Sequence, residues 1–350
     1  MGIDIGTYSI RVVEINKKDD VFTLENYGEV KTSQIFKTPA AANMQNGSLI
    51  TNQEVALIVT TILREAGMTT KYANFSVPDF SSFYTSFELP PMTKDELSKV
   101  VKYEARSYIP LPLSEVTLDW VLINKKDDKG VLSGKEKSPV KVLVVAISNQ
   151  IVNNYKEIAA ISKLDIKNLE AEAFALARAC ARGIEEPVCL VDIGARSTTV
   201  NILENGLLKM SHSINVSGNE FTQILSKSLR IDYERADELK KRVGLMSATK
   251  VEEDVKDTLL PLVDSILLEV RRADDNYYNT EGQRIKKVVL AGGSALMPGL
   301  KEYVAYELKK EVQVANPFAS IAHEAVLGES LTEMGPSFAI AVGLCLKGLE

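Results

Sequence analysis

The chain has 350 residues, enough for two domains with real cores, and 45% hydrophobic against 25% charged residues read as an ordinary globular protein. Its net charge of −6, from 41 basic and 47 acidic residues without a basic block, argues against nucleic acid as the main partner. No apolar run approaches the ~18 residues of a membrane span. The apolar start lacks the basic flank and cleavage site of a signal peptide. Met1-Gly2 stands almost inside the first motif, so native residues are expected before it, and Leu349-Glu350 reads as a cloning remnant. The three cysteines, Cys180, Cys189 and Cys345, form no CxxC pair and read as reduced core thiols. His212 and His323 are the only histidines, which disfavours a histidine triad or a histidine-rich metal site.

Residues 2–30 read as three strands, Gly2–Ile5, Ile10–Asn16 and Val21–Val30, followed by a polar connector through Gly47. Thr51-Asn52-Gln53-Glu54 is a capping box that opens an amphipathic helix closed at Gly67. Ala73–Val77 and Phe83–Phe87 read as strands. Thr93-Lys94-Asp95-Glu96 caps a second helix, stopped by Ile109-Pro110. Val116–Asn124 and Val140–Ile147 are further strands, with Lys125–Lys137 between them as a hairpin or loop. Asn149–Leu164 is an amphipathic helix. Residues 73–160 therefore read as a compact α+β insertion.

Glu170–Arg182 is predicted helical, and Val188–Ile193 then opens a second half. Thr198–Leu203, an Asn205-Gly206 turn and Leu207–Val216 extend its sheet. Helices are predicted at Gly218–Leu229, Tyr233–Val243 and Val251–Tyr278, the last kinked or restarted at Pro261. Lys286–Ala291 is a strand ending in Gly292-Gly293. Leu300–Lys310 and Ser337–Leu346 are helices, the latter rich in small residues (Ala339, Ala341, Gly343) that permit close packing.

Two stretches match in register. Asp4-Ile5-Gly6-Thr7-Tyr8-Ser9-Ile10-Arg11-Val12 shares Asp, Ile, Gly, Ser and Val with Asp192-Ile193-Gly194-Ala195-Arg196-Ser197-Thr198-Thr199-Val200. One such strand-turn-strand is most simply a structural hairpin. Two suggest similar halves facing one cleft. A glycine at each bend lets backbone N–H groups approach phosphate oxygens, and Thr7 and Ser9 add hydroxyl donors. Asp4 and Asp192 could then hold a shared Mg²⁺ through water, or Asp192 could orient an attacking water. Gly292-Gly293-Ser294 leaves room for a base and ribose, or is an ordinary bend. Asp237 and Lys240, three apart on one helix, could both reach a ribose, or belong to a solvated face. Glu170 could polarise a water near a terminal phosphate, or merely favour a helix start.

The order and spacing of these motifs resemble the actin-like ATPase superfamily, in which two RNase H-like halves clasp Mg-ATP. Within it, Gly2–Gly6, Leu89-Pro90-Pro91-Met92, the run Tyr103–Pro110, Glu172–Arg178 and Ala291-Gly292-Gly293 resemble the PilM family of type IV pilus proteins, itself similar to the cell-division protein FtsA. The resemblance implies an actin-like α/β fold with an FtsA/PilM-type α+β insertion. The first half would comprise 1–72, 161–186 and 335–350, the insertion 73–160, and the second half 187–334.

It further implies a nucleotide site of Gly6, Thr7, Tyr8, Ser9, Gly194, Ala195, Arg196, Ser197, Asp237, Lys240, Gly292, Gly293 and Ser294. ATP or ADP with Mg²⁺ at Asp4 and Asp192 would bind there, with Asp192 and Glu170 as catalytic acids. The implied partner is the cytoplasmic N-terminal tail of PilN, which would hold the chain at the inner face of the inner membrane. Other platform proteins, the assembly ATPase and further copies of the chain are additional partners on this reading. The second turn departs from the family's D-x-G-G-G-T at Ala195-Arg196, where bulk replaces glycine. Slow or absent hydrolysis is therefore expected, in a scaffold rather than an engine. A filament-forming FtsA-like ATPase and a small-molecule kinase are the alternatives.

Overall fold

The computed structural model describes residues 1–32, 50–123 and 139–349. The connector up to Gly47 and the run Lys125–Lys137 fall outside them. The first half opens with β1 (Gly2–Ile5), β2 (Ser9–Lys18) and β3 (Val21–Lys31), then α1 (Asn52–Glu65) and β4 (Tyr72–Val77). Thr51 and Glu54 form the expected capping box on α1. The chain next builds β5 (Ser82–Leu89), α2 (Lys94–Ala105), β6 (Val116–Leu122) and β7 (Val140–Ser148), and returns through α3 (Asn149–Ile161), β8 (Asp165–Ala171) and α4 (Glu172–Cys180).

The second half runs β9 (Val188–Ile193), β10 (Thr198–Glu204), β11 (Leu207–Ile214), α5 (Gly218–Leu229), α6 (Tyr233–Arg242), α7 (Lys250–Glu281), β12 (Lys287–Ala291), α8 (Leu300–Leu308), β13 (Glu311–Val314) and α9 (Gly328–Lys347). Asn205 and Gly206 both take positive φ (52° and 72°), as a two-residue hairpin requires.

Two five-stranded sheets share one topology, β3-β2-β1-β4-β8 and β11-β10-β9-β12-β13. In each, three antiparallel strands are followed by two parallel ones. The sequence repeat is thus the visible part of a repeated half-molecule. Helices α1 and α3 cover one sheet, and α5, α7 and α8 bury the outer face of the other. Helices α4 and α9 lie between the halves. Leu176 and Ile340 pack on Leu190 and Val289 of the second sheet, while Phe338 and Val342 pack on Val13 and Ile15 of the first. A third, antiparallel sheet, β5-β7-β6, buries its own core against Leu97, Val101 and Ala105 of α2.

Four expectations are revised. The expected insertion over 73–160 includes β4 and α3, which belong with the first sheet, and the separate sheet carries β5 to β7. Glu170 lies in a strand rather than a helix, because parallel pairing with β4 sets it opposite Ser76 and delays α4 to Glu172. Tertiary pairing outweighs the helical preference of the local Glu/Ala-rich run. Helix α7 is one helix of 32 residues with Pro261 inside it, so no new helix starts there, and α9 begins at Gly328, before Pro336. All three thiols are free, Cys189 and Cys345 buried and Cys180 partly so, and burial pushes those of Cys180 and Cys189 up to about 12, as inert thiols require. No described helix is long and apolar enough to cross a membrane.

Candidate functional site

The β1–β2 and β9–β10 turns face each other over a cleft of 450 Å³. Their geometry is the same. The Gly6 N–H donates to Ser9 O at 3.1 Å, and the Gly194 N–H donates to Ser197 O at 3.0 Å. A Cβ added at either glycine would sit 3.0 Å from that same backbone oxygen, a contact the turn could take only by opening slightly, so glycine suits both tight turns. The tip residues are Thr7-Tyr8 in one and Ala195-Arg196 in the other. Ala195 and Arg196 therefore leave the closure of the second turn intact. Thr32 Oγ1 holds the first turn by donating to the Thr7 and Tyr8 carbonyls, both at 3.0 Å. The start of α5 holds the second, where the Gly218 N–H donates to Gly194 O at 2.8 Å.

Strand register decides the charge beneath each turn. Asp4, Arg11 and Glu29 stand abreast on β1, β2 and β3. Asp4 is buried, with Oδ1 accepting from Ser76 Oγ at 2.8 Å and Oδ2 lying 3.5 Å from Arg11 Nη1. Arg11 Nε is 2.9 Å from Glu29 Oε1, which also accepts from Ser9 Oγ at 2.7 Å. Ser9 is thereby turned away and does not line the cleft. The equivalent positions of the second half hold Asp192, Thr199 and Ser213, with no cation. Burial, then the nearby Asp79 and Asp4, push the Asp192 carboxyl up to about 7, against a smaller lowering by Arg11.

Glu172, not Glu170, reaches this cluster. Its Oε2 accepts from the Asp79 N–H at 3.1 Å, while Asp79 Oδ1 accepts from the Ala173 N–H at 3.2 Å and from the Tyr84 hydroxyl. This reciprocal clasp ties the chain entering the insertion to the start of α4. Burial and the neighbouring Asp79, Asp4 and Asp192 raise the Glu172 carboxyl well above the usual carboxylate range. Glu170 instead makes a two-pronged pair with Arg178, at 2.7 and 3.1 Å, outside the cleft lining. The two glutamates are two residues apart. An error of two residues in the helix start therefore exchanges their roles.

On the far side, Gly292, Gly293 and Ser294 line the cleft beside Leu296 and Met297. Gly292 has φ 82°, and a Cβ there would lie 2.5 Å from both Asp192 Oδ1 and Ile193 O. Its N–H donates to Pro336 O at 2.9 Å, which joins this bend to α9. Asp237 and Lys240 also line the cleft. Lys240 is buried, however, and its Nζ contacts Asp237 Oδ1 at 2.8 Å, Gly218 O at 3.0 Å and Thr222 Oγ1 at 2.8 Å. It braces α6 against α5 rather than offering a free hand to a ligand. The next residue, Lys241, crosses the mouth and donates to the Tyr8 hydroxyl at 3.2 Å. The Arg196 guanidinium stacks on Phe80 at 4.2 Å, joining the second turn to the insertion.

Fourteen of the sixteen expected site residues thus meet in one cleft, and Ser9 and Glu170 do not. The sequence reading overlooked Arg11, Glu29, Glu172, Lys241 and Phe80. Among the described residues no group of three or more His, Cys, Asp or Glu side chains is placed to hold a metal ion. Both Asp4 oxygens already have partners, Ser76 and Arg11, so Asp4 does not face the cleft as a free Mg²⁺ ligand.

A family model described as "Type IV pilus assembly protein PilM" matches residues 2–349. The chain belongs to the PilM family. Among solved structures, a PilM–PilN type IV pilus biogenesis complex superposes on all of this chain and 98% of its own, with TM-score 0.84 and 24% identity. MreB5 of Spiroplasma citri bound to AMPPNP gives TM-score 0.53 at 14% identity, over 100% of this chain and 95% of its own. These similarities establish the actin-like ATPase fold. FtsA of Bacillus subtilis is 22% identical over 362 residues, covering 91% of this chain and 78% of that protein. FtsA of Agrobacterium fabrum is matched over 51% of its length at 23% identity. The PilM family assignment thus carries the FtsA relationship that the sequence suggested.

Proposed function

We propose that this PilM-family chain is a nucleotide-binding scaffold of type IV pilus assembly. ATP or ADP binds in the cleft, with phosphates on the Gly6 and Gly194 turns and adenosine against Gly292-Gly293-Ser294. The matched closure of the two turns, one from each half, is the observation that carries this reading. The AMPPNP-bound MreB5 structure supports it by fold. The scaffold captures the cytoplasmic N-terminal tail of PilN beside the inserted subdomain and so sits at the inner face of the inner membrane. The PilM–PilN neighbour supports that partner.

Slow or absent hydrolysis is the expected rate. Glu172 holds its proton at neutral pH and is no ready base for water, which leaves Asp192, pushed up to about 7, as the acid poised to act and the one the turnover test removes. Glu170 is committed to Arg178. Turn amides and the cleft's own cations bind the phosphates. Mg²⁺, where it accompanies the nucleotide, supplies charge neutralisation on the phosphates rather than a protein-held centre.

Steady-state phosphate release should stay below about one turnover per second, at the slow edge of ordinary enzymes. Faster release that Asp192→Ala abolishes would defeat the scaffold reading. A synthetic PilN tail should bind saturably in calorimetry, and no heat at high peptide concentration would remove the partner.

A further inference from the structure

The two walls of the cleft are built alike but charged differently. Where the second half has Asp192, Thr199 and Ser213 abreast, the first has Asp4, Arg11 and Glu29. Arg11 is largely buried, with 13% of its side chain exposed, and bridges the two acids at 3.5 and 2.9 Å. It still lines the cleft, and its Nη1 lies 3.9 Å from the point where a Cβ on Gly6 would stand. The guanidinium therefore sits directly under the first turn. Phe338 packs against it, with Arg11 Cζ 5.7 Å from the ring centroid. The side chain is thus fixed by its surroundings, not loosely tethered.

A divalent cation at such a wall has two tasks. It balances the buried carboxylate and places positive charge under a phosphate chain. A guanidinium is always charged, is less strongly hydrated than an ammonium and matches phosphate geometry. Here both Asp4 oxygens are already engaged, by Ser76 and by Arg11, although burial still raises the carboxyl and Arg11 is shared with Glu29. Lys31, Arg196, Lys240 and Lys241 add four more cations to the cleft lining, the last two paired with Asp237.

Resting on the nucleotide-binding reading above, we infer that Arg11 is a built-in counter-ion that takes the place of a protein-bound metal at the first turn, so that nucleotide binding does not require a divalent cation. Arg11 is a positioning and charge-balancing residue here.

The test is equilibrium titration of the full chain with a fluorescent ATP derivative (mant-ATP), in MgCl₂ and separately in EDTA. The affinities should agree within about threefold, under 1 kcal/mol. Loss of more than about thirtyfold in EDTA, roughly 2 kcal/mol, would overturn the inference while leaving nucleotide binding in place. Absence of binding in both buffers would instead remove the nucleotide reading and this inference with it. Arg11→Gln, checked for folding by circular dichroism, should bind mant-ATP in MgCl₂ and lose it in EDTA. A folded variant as indifferent to EDTA as the parent would also overturn the assignment. If Arg11→Gln does not fold, the parent titration alone decides.

Discussion

Replacing Gly343 by alanine is expected to destabilise the protein by about 3 kcal/mol or more, at or beyond the upper end of ordinary overpacking. Gly343 lies on α9 where it crosses α4. A Cβ there would stand 1.9 Å from the Ala175 carbonyl oxygen and 2.5 Å from its carbon. Both are backbone atoms, so no side-chain rotation relieves the clash, and one helix must move. The movement would also disturb the 2.8 Å hydrogen bond from Arg178 Nη1 to Gly343 O, and with it the Glu170–Arg178 pair. Because α4 and α9 carry packing from both sheets, the strain spreads to each half. Gly2 makes a second such contact, its Cβ position lying 2.1 Å from Ala341 O. A urea midpoint, with the slope checked against the parent, measures the effect. An unchanged midpoint would mean that the two helices do not approach as described.

Asp192→Asn should stabilise the ligand-free protein, and the gain should depend on pH. The carboxyl is pushed up from 3.8 to about 7 in the fold by burial and by Asp79 and Asp4. A raised folded value means the native state binds this proton more tightly than the unfolded chain. Stability attributable to Asp192 is therefore intact below the unfolded value and is lost as pH rises through the folded one. Above both values the penalty is at most about 4 kcal/mol, since each tenfold change in proton affinity is worth roughly 1.4 kcal/mol, and it is reduced by the half-buried position of Asp192 on the cleft wall. The asparagine variant escapes it. The two proteins should have similar denaturation midpoints near pH 4, with the variant clearly the more stable near pH 8. A gap that is the same at both pH values, or that favours the parent at pH 8, would show that Asp192 is not held protonated.

Local signals in the sequence were enough for the skeleton of the fold. Alternation places β1 to β3, and Thr51-Glu54 and Thr93-Glu96 announce the starts of α1 and α2, where both capping boxes form. The paired Asp-Ile-Gly stretches mark two turns that close with the same hydrogen bond. What the chain conceals is non-local. Arg11 meets Asp4 and Glu29 through strand register, and neither contact follows from a motif. Glu170 and Glu172 exchange roles because β8 pairs with β4, a contact between strands nearly a hundred residues apart. Lys240 lies where a ligand contact is expected, yet its burial and its partners on α5 are tertiary facts. Ala195-Arg196 illustrates the opposite case. Its departure from the family pattern puts bulk where glycine is expected, yet the backbone closes as in the first turn, with Arg196 directed onto Phe80.

The central claim is that one nucleotide lies between two equivalent turns, and a crystal structure at saturating ATP tests it most directly. The account predicts phosphate density within hydrogen-bonding distance of the Gly6 and Gly194 turns, with the base lying against Gly292-Gly293-Ser294 and Leu296. A cleft without nucleotide density under those conditions, or nucleotide bound elsewhere on the chain, would contradict it.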